Sequence, residues 1–141
     1  GIFMDERLSL GLGGFRVINN TIVNSKLDGI RNYGDKVPNV IMNNIIVNPG
    51  SYTTYTYPRK GDDAYIYNLN KTMKVTISNN IFTRDINFVK FANHTSANYR
   101  ITSSSPALNK GNDVKAYNMP RDFYRQTRLK GSAYDIGASE Y

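Results

Sequence analysis

The chain has 141 residues, 18 Lys and Arg against 11 Asp and Glu, a net charge of +7, and no cysteine. Disulfides and thiolate metal centres are therefore excluded, and no apolar run approaches the ~20 residues that a membrane-spanning helix requires. The length suits one domain, and the positive balance suits a polyanion, although the basic residues are scattered and form no nucleic-acid motif.

The chain opens with Gly1-Ile-Phe-Met-Asp-Glu, which lacks the basic and apolar regions of a signal peptide. Gly11, Gly13 and Gly14 follow, and residues 1–14 read poorly as a polar cap. A phrase then appears three times: Phe-Arg-Val-Ile-Asn-Asn-Thr-Ile-Val at 15–23, Asn-Val-Ile-Met-Asn-Asn-Ile-Ile-Val at 39–47, and Val-Thr-Ile-Ser-Asn-Asn-Ile-Phe-Thr at 75–83. The pairs Asn19-Asn20, Asn43-Asn44 and Asn79-Asn80 are spaced by 24 and 36 residues, which reads as a 24-residue unit whose second copy carries a 12-residue insertion. A fixed period of this length signals a solenoid.

Within the third copy, Val75 and Ile77 alternate with Thr76 and Ser78, the period of a strand with one buried face. Val17 and Ile41 are the matching inward residues, and Ile22, Ile46 and Phe82 follow the pairs. Asn tolerates the left-handed backbone region, so each pair reads as a corner between two short strands. Stacked corners would let the carboxamides of Asn20, Asn44 and Asn80 bond from rung to rung as a ladder.

A third strand is expected about ten residues after each corner once the insertion is removed, at 28–33, 63–68 and 87–92. Its inward residues are Ile30, then Ala64 and Ile66, then Val89 and Phe91, and its outward residues are Arg31, Tyr65, Tyr67 and Lys90. These rungs resemble the right-handed parallel β-helix of the pectate lyase superfamily. Residues 99–111, 122–128 and 135–141, which contain Ser-Pro-Ala and the final Asp-Ile-Gly-Ala-Ser-Glu, are similar to the closing segment of secreted bacterial β-helix proteins. Tyr124-Arg125-Gln126 departs from that pattern, which usually has an acidic residue, glycine and a small polar residue there.

The expected fold is all-β: a right-handed single-stranded parallel β-helix of about four rungs with an asparagine ladder, spanning 1–98 and closed by an irregular C-terminal cap at 99–141. The resemblance implies the C-terminal part of a longer bacterial protein, secreted, periplasmic or at the cell surface, whose signal peptide lies outside this fragment. It implies an acidic polysaccharide as partner, no nucleic acid and no membrane span. An uncapped N-terminal rung also invites end-to-end self-association.

The inserted region at 49–62 enters the outward strand face, where the resemblance places the saccharide cleft. Tyr55, Tyr57, Arg59 and Lys60 are candidate carbohydrate contacts there, with Arg31, Tyr65, Tyr67 and Lys90 beside them. Tyr offers an apolar ring and a hydroxyl, and Arg binds carboxylates through paired hydrogen bonds. The alternative is a tyrosine cluster that packs on itself and anchors the loop.

Catalytic residues are not identifiable. Lys26, Arg31, Lys36 and Lys90 are available bases, but Asp28, Asp35, Asp62, Asp63 and Asp85 are too scattered for a calcium site, and no metal or cofactor is expected in the chain itself. Calcium enters only through the lyases that the fold resembles. The Asn-Thr-Asp, Gly-His-Gly and Arg-Ile-Lys motifs of polygalacturonase-like hydrolases are absent, so β-elimination is favoured over hydrolysis for an enzymatic parent. A non-enzymatic adhesin or glycan-binding solenoid is the alternative. His94 reads as a polar turn residue.

Overall fold

The computed structural model describes residues 1–6, 13–34, 36–51, 61–69 and 72–141. Among them the protein is all-β, and its helical pieces are single 3₁₀ turns of three or four residues. Nine short strands come first: β1 Ile2–Asp5, β2 Arg16–Ile18, β3 Thr21–Val23, β4 Ile30–Tyr33, β5 Asn39–Met42, β6 Ile45–Val47, β7 Ile66–Asn68, β8 Val75–Ser78 and β9 Ile81–Thr83. Two more, β10 Phe91–Asn93 and β11 Asn98–Ile101, form an antiparallel hairpin.

Each of the nine strands pairs in parallel with the strand three places along, giving sheets β1-β4-β7, β2-β5-β8 and β3-β6-β9. The register repeats the sequence spacing, with Val17 opposite Ile41 and Ile41 opposite Ile77. One apolar cluster draws Met4, Ile30 and Ile66 from the first sheet, Val17 and Ile41 from the second, and Ile46 from the third. Burying each Ile contributes roughly 1.5–3 kcal/mol.

The first Asn of each pair makes the corner. Asn19, Asn43 and Asn79 have φ of 54°, 55° and 48°, a region that Asn occupies more readily than other non-glycine residues. A second column of turns, at Asn24 and Asn48 with φ of 52° and 47°, closes the far ends of β3 and β6. There Asn48 Nδ2 donates to Asn24 Oδ1 at 3.0 Å.

The second Asn of each pair turns inward. Asn20 Nδ2 donates to Asn44 Oδ1 at 3.0 Å, and Asn44 Nδ2 donates to Asn80 Oδ1 at 2.9 Å. The same oxygens accept the backbone N–H of Asn20 and Asn44, both at 2.9 Å. Asn44 Nδ2 also donates to Val17 O at 2.8 Å, so this fully buried side chain satisfies four groups. Asn32 and Asn39 continue the interior network, Asn32 Nδ2 reaching Asn68 Oδ1 at 3.0 Å and Asn39 Nδ2 reaching Asn32 Oδ1 at 3.2 Å. A buried carboxamide is tolerated only when its bonds are made.

Before the first Asn pair, Ile2 and Met4 alternate with Phe3 and Asp5, and β1 joins β4 in register from Ile2 opposite Ile30, forming the outer edge of that sheet. One expectation is corrected. The strand expected at 87–92 is instead a 3₁₀ turn at Ile86–Val89, capped by Asp85 accepting from Asn87 N and ended by left-handed Lys90, and the chain then enters the β10-β11 hairpin. Val89 and Phe91 are buried, but against Ile45, Val47, Ile101 and Ile136 rather than in the central cluster.

Residues 99–141 pack along the flank of the strands. Ile18 and Met42 pack against Val114 and Tyr134, and Ile45 and Val47 pack against Ala107 and Ile136, so both sides of β6 are buried. Ile77, on the edge strand β8, is left 42% exposed.

The corner asparagines hold this segment. Asn43 Nδ2 donates to Asn112 O at 2.9 Å and Asn43 Oδ1 accepts from Asn112 N at 2.8 Å. Asn19 Nδ2 reaches Asp135 O at 2.9 Å, and Asn79 Nδ2 reaches Lys110 O at 2.8 Å. Gly137, with φ of 100°, donates its N–H to Asn43 O at 2.8 Å, and a Cβ there would meet Thr21 Oγ1 at 2.9 Å. Within the segment Arg128 Nη1 donates to buried Glu140 Oε1 at 3.0 Å. Burial and the charge of Asp135 raise the Glu140 carboxyl above its ordinary range, while Arg128 opposes that shift.

Replacing Asn44 by Leu leaves Asn20 N without its acceptor and removes the carboxamide bonds to Val17 O and Asn80 Oδ1, and is expected to lower the unfolding free energy by about 3 kcal/mol or more. Asn79→Gly, which accepts the left-handed corner, removes one exposed bond and is expected to cost under about 1 kcal/mol. Chemical denaturation of the two variants checks the difference.

Candidate functional site

Parity along the β1-β4-β7 sheet fixes which side chains point away from the core. Ile2, Met4, Ile30, Asn32 and Ile66 point in, so Phe3, Arg31 and Tyr67 form one outward row across three strands. Asp5 and Tyr33 form a second row beside it. Parallel pairing places such rows about 4.8 Å apart per strand, close to the spacing at which neighbouring rings meet.

The aromatic rings on this face interlock edge to face. Phe3 and Tyr33 lie 5.1 Å apart at 87°, and Tyr33 and Tyr67 lie 6.2 Å apart at 69°. Phe3 is 58% exposed, so much of its ring meets solvent. Arg31 stands within this group, and its Nε donates to Asp28 Oδ2 at 2.6 Å. Asp28 is buried at the strand entrance, where Ser25 Oγ donates to its backbone carbonyl at 2.9 Å. That ion pair fixes the direction of the guanidinium.

Beside the rows lies a cavity of about 320 Å³, lined by Phe3 and Arg31 together with Lys26, Leu27 and Asp28. Lys26 is exposed at its rim. The arrangement offers apolar ring faces, two cations and one carboxylate around a single opening. It suits an anionic ring with an apolar face, as in a uronic-acid sugar.

Of the residues singled out from the sequence, Arg31 and Tyr67 are brought together, directly opposite in register. Tyr65 is not on this face. It precedes β7, is 8% exposed, joins the central cluster, and stacks on Phe82 at 5.0 Å and 17°. Arg84 covers the ring, its guanidinium carbon 5.2 Å from the centroid.

Lys90 is exposed at the left-handed end of the Ile86–Val89 turn, beside Asp85, Phe88 and Ser104, and belongs to no strand of this sheet. Tyr55, Tyr57, Arg59 and Lys60 lie outside the described residues. Phe3 and Tyr33 were missed. Strand parity alone pairs Tyr33 with Arg31, so that signal was present in the sequence, whereas the few residues before Gly11 are too short a run to reveal Phe3.

No group of three or more His, Cys, Asp or Glu among the described residues is placed to hold a metal ion. The acids on this face are Asp5 and Asp28, and Asp28 engages Arg31. This donor set does not fit calcium, which takes six to eight oxygen ligands. No helix among the described residues is long and apolar enough to cross a membrane.

Tyr65→Ala is expected to cost about 3–5 kcal/mol of stability, as for other buried aromatic truncations. Tyr67→Ala, on the outward row, is expected to cost under about 1 kcal/mol. Thermal and denaturant unfolding of the pair tests the assignment of the two neighbouring tyrosines to opposite roles. The chain matches no protein-family model, no curated protein and no solved structure, so the function of this face is argued from its geometry.

Proposed function

We propose that the three parallel sheets are the faces of one right-handed β-helical coil, and that the β1-β4-β7 face binds an acidic polysaccharide. The observation that carries the binding reading is the row Phe3, Arg31 and Tyr67, in register on three adjacent strands. A glycan chain laid across the strands meets a ring, a guanidinium and a second ring in succession. The guanidinium pairs with a uronate carboxylate, and the rings cover the apolar sides of neighbouring sugars. The net charge of +7 favours approach of such a polyanion.

The coil reading is supported by the pairing of each strand from β1 to β6 with the one three places on, and by the single cluster fed from all three sheets. Handedness follows the rule for parallel crossovers. On this reading the protein is a secreted, periplasmic or surface-exposed bacterial carbohydrate-active protein of the pectate lyase type. Its parent acts by β-elimination if it is an enzyme.

The acid nearest the guanidinium is tied to it in an ion pair, which holds Arg31 in place for contact with a ligand. An immobilised polygalacturonate column is expected to retain the chain at low salt and release it as ionic strength rises. The double variant Arg31→Ala, Tyr67→Ala is expected to bind at least ~10-fold more weakly, a loss of about 1.4 kcal/mol or more. Retention equal to that of the unaltered chain would remove the proposal. Ultraviolet absorbance from unsaturated sugar released in the same experiment would assign elimination to this chain.

A further inference from the structure

The departure of Tyr124-Arg125-Gln126 from the resembled closing segment has a structural counterpart on another side of the molecule. Phe123 is 76% exposed, more than any other large apolar side chain among the described residues. It is not on a loose segment. Its N–H donates to Ala138 O at 2.9 Å, and Arg125 N donates to Asp122 O at 3.0 Å. The buried carboxylate of Asp122 accepts from Gln126 N at 2.7 Å and from Glu140 N at 3.0 Å. Arg125 holds φ at 64°, a conformation that non-glycine residues adopt at a cost.

The turn thus fixes a solvent-facing phenyl ring with a strained backbone and a buried acid. Tyr124 lies at 5.1 Å and 88° to it, and Arg100 holds its guanidinium 4.0 Å from the Tyr124 centroid. Between this turn and the β3 corner is a hollow of about 380 Å³, whose lining includes Phe123, Tyr124, Tyr99, Asn20 and Thr21. That volume lies in the range of small-ligand sites. Tyr99 is braced from behind by Phe91, edge to face at 5.3 Å. At the other rim is Asn20, which donates to Asn44 and to Ile18 O, whereas its Oδ1 accepts no hydrogen bond among the described residues.

We propose that this hollow is a second saccharide site, taking one acidic pyranose ring of a polymer. The proposal rests on the glycan reading of the strand face for the class of ligand, and uses none of that face's residues. The ring's C–H side stacks on Phe123, its hydroxyls reach Asn20 Oδ1 and the Tyr99 hydroxyl, and Arg100, held over the ring of the wall residue Tyr124, supplies the positive charge that an acidic sugar requires. A concave, half-open hollow with aromatic walls and a hydrogen-bonding edge matches a single ring better than a flat protein surface does. Two sites on one rigid body also favour a long chain over a short one by raising the effective concentration of the second contact.

The test is a titration of the chain with a uronic-acid trisaccharide, followed by NMR through the ring resonances of Phe123, Tyr99 and Tyr67, with the same titration on Phe123→Ala and on Arg31→Ala, Tyr67→Ala. Expected are shifts of Tyr99 and Phe123 that saturate with the sugar, persist in the strand-face variant, and vanish at Tyr99 in Phe123→Ala. Affinity for the long polymer is expected to fall about tenfold or more in Phe123→Ala. Shifts at Tyr67 with none at Tyr99 and Phe123 overturn this site and leave the strand face standing. No shift at any of the three rings removes both readings. Concentration-dependent association of the free chain that Phe123→Ala abolishes assigns the hollow to a second copy and overturns the saccharide proposal. Because Phe123 is exposed, an unchanged melting temperature confirms that the variant is folded.

Discussion

Two adjacent carboxamides at each corner do different work, and the rest of the molecule depends on that division. The first Asn of the pair takes the left-handed conformation that turns the chain, and its side chain points outward to the flanking segment. The second joins the ladder, and in Asn44 and Asn80 its oxygen accepts both a side-chain and a backbone N–H from the preceding copy. Asn44 sits in the middle with donors and acceptors engaged above and below. A carboxamide with both ends used is one of the few side chains that can link three stacked strand corners without leaving a polar group stranded. Hydrophobic burial supplies most of the driving force, but it does not fix which corner lies over which.

Register at the corners propagates to the face where ligand is proposed to bind. With Val17 over Ile41 and Ile46 over Phe82, the strands that follow enter with Ile30 over Ile66, and Arg31 is thereby set opposite Tyr67. A slip of one residue would turn Arg31 into the core and bring Asn32 out. The interior Asn32 to Asn68 bond guards against that slip on the sheet itself. The outward row is thus held from inside. On the flank, Asn43 makes a two-bond contact with the backbone of Asn112, much as a neighbouring strand would, and so joins a segment with little regular structure to the repeating strands.

The corners and the six strands that flank them were legible because Asn pairs at a constant offset and alternation with period two are local signals. The third-strand positions were legible in part. Ile30 and Ile66 fall where alternation places them, but Tyr65 stands between the Gly61–Ala64 turn and the start of β7, where strand parity has not begun, and it folds back onto Phe82. Lys90 was misplaced for a related reason: Val89 and Phe91 flank it as they would in a strand, yet Asp85 caps a 3₁₀ turn just before. The lateral course of residues 99–141 had no periodic signal, since what holds it is a set of long-range bonds from Asn19, Asn43 and Asn79. The Phe3 contribution to the candidate site depended on a pairing partner 28 residues away.

The central claim is that the inward carboxamides are closed hydrogen-bonded links rather than polar decorations of a turn. It is tested most directly by hydrogen exchange at the side-chain amides, resolved by NMR in the unaltered chain. The structure predicts that the Asn44 and Asn80 carboxamide protons exchange slowly, at rates close to the backbone amide of Ile41 in the same sheet, while those of exposed Asn79 exchange far faster. Equal and rapid exchange at Asn44, Asn80 and Asn79 would contradict the account.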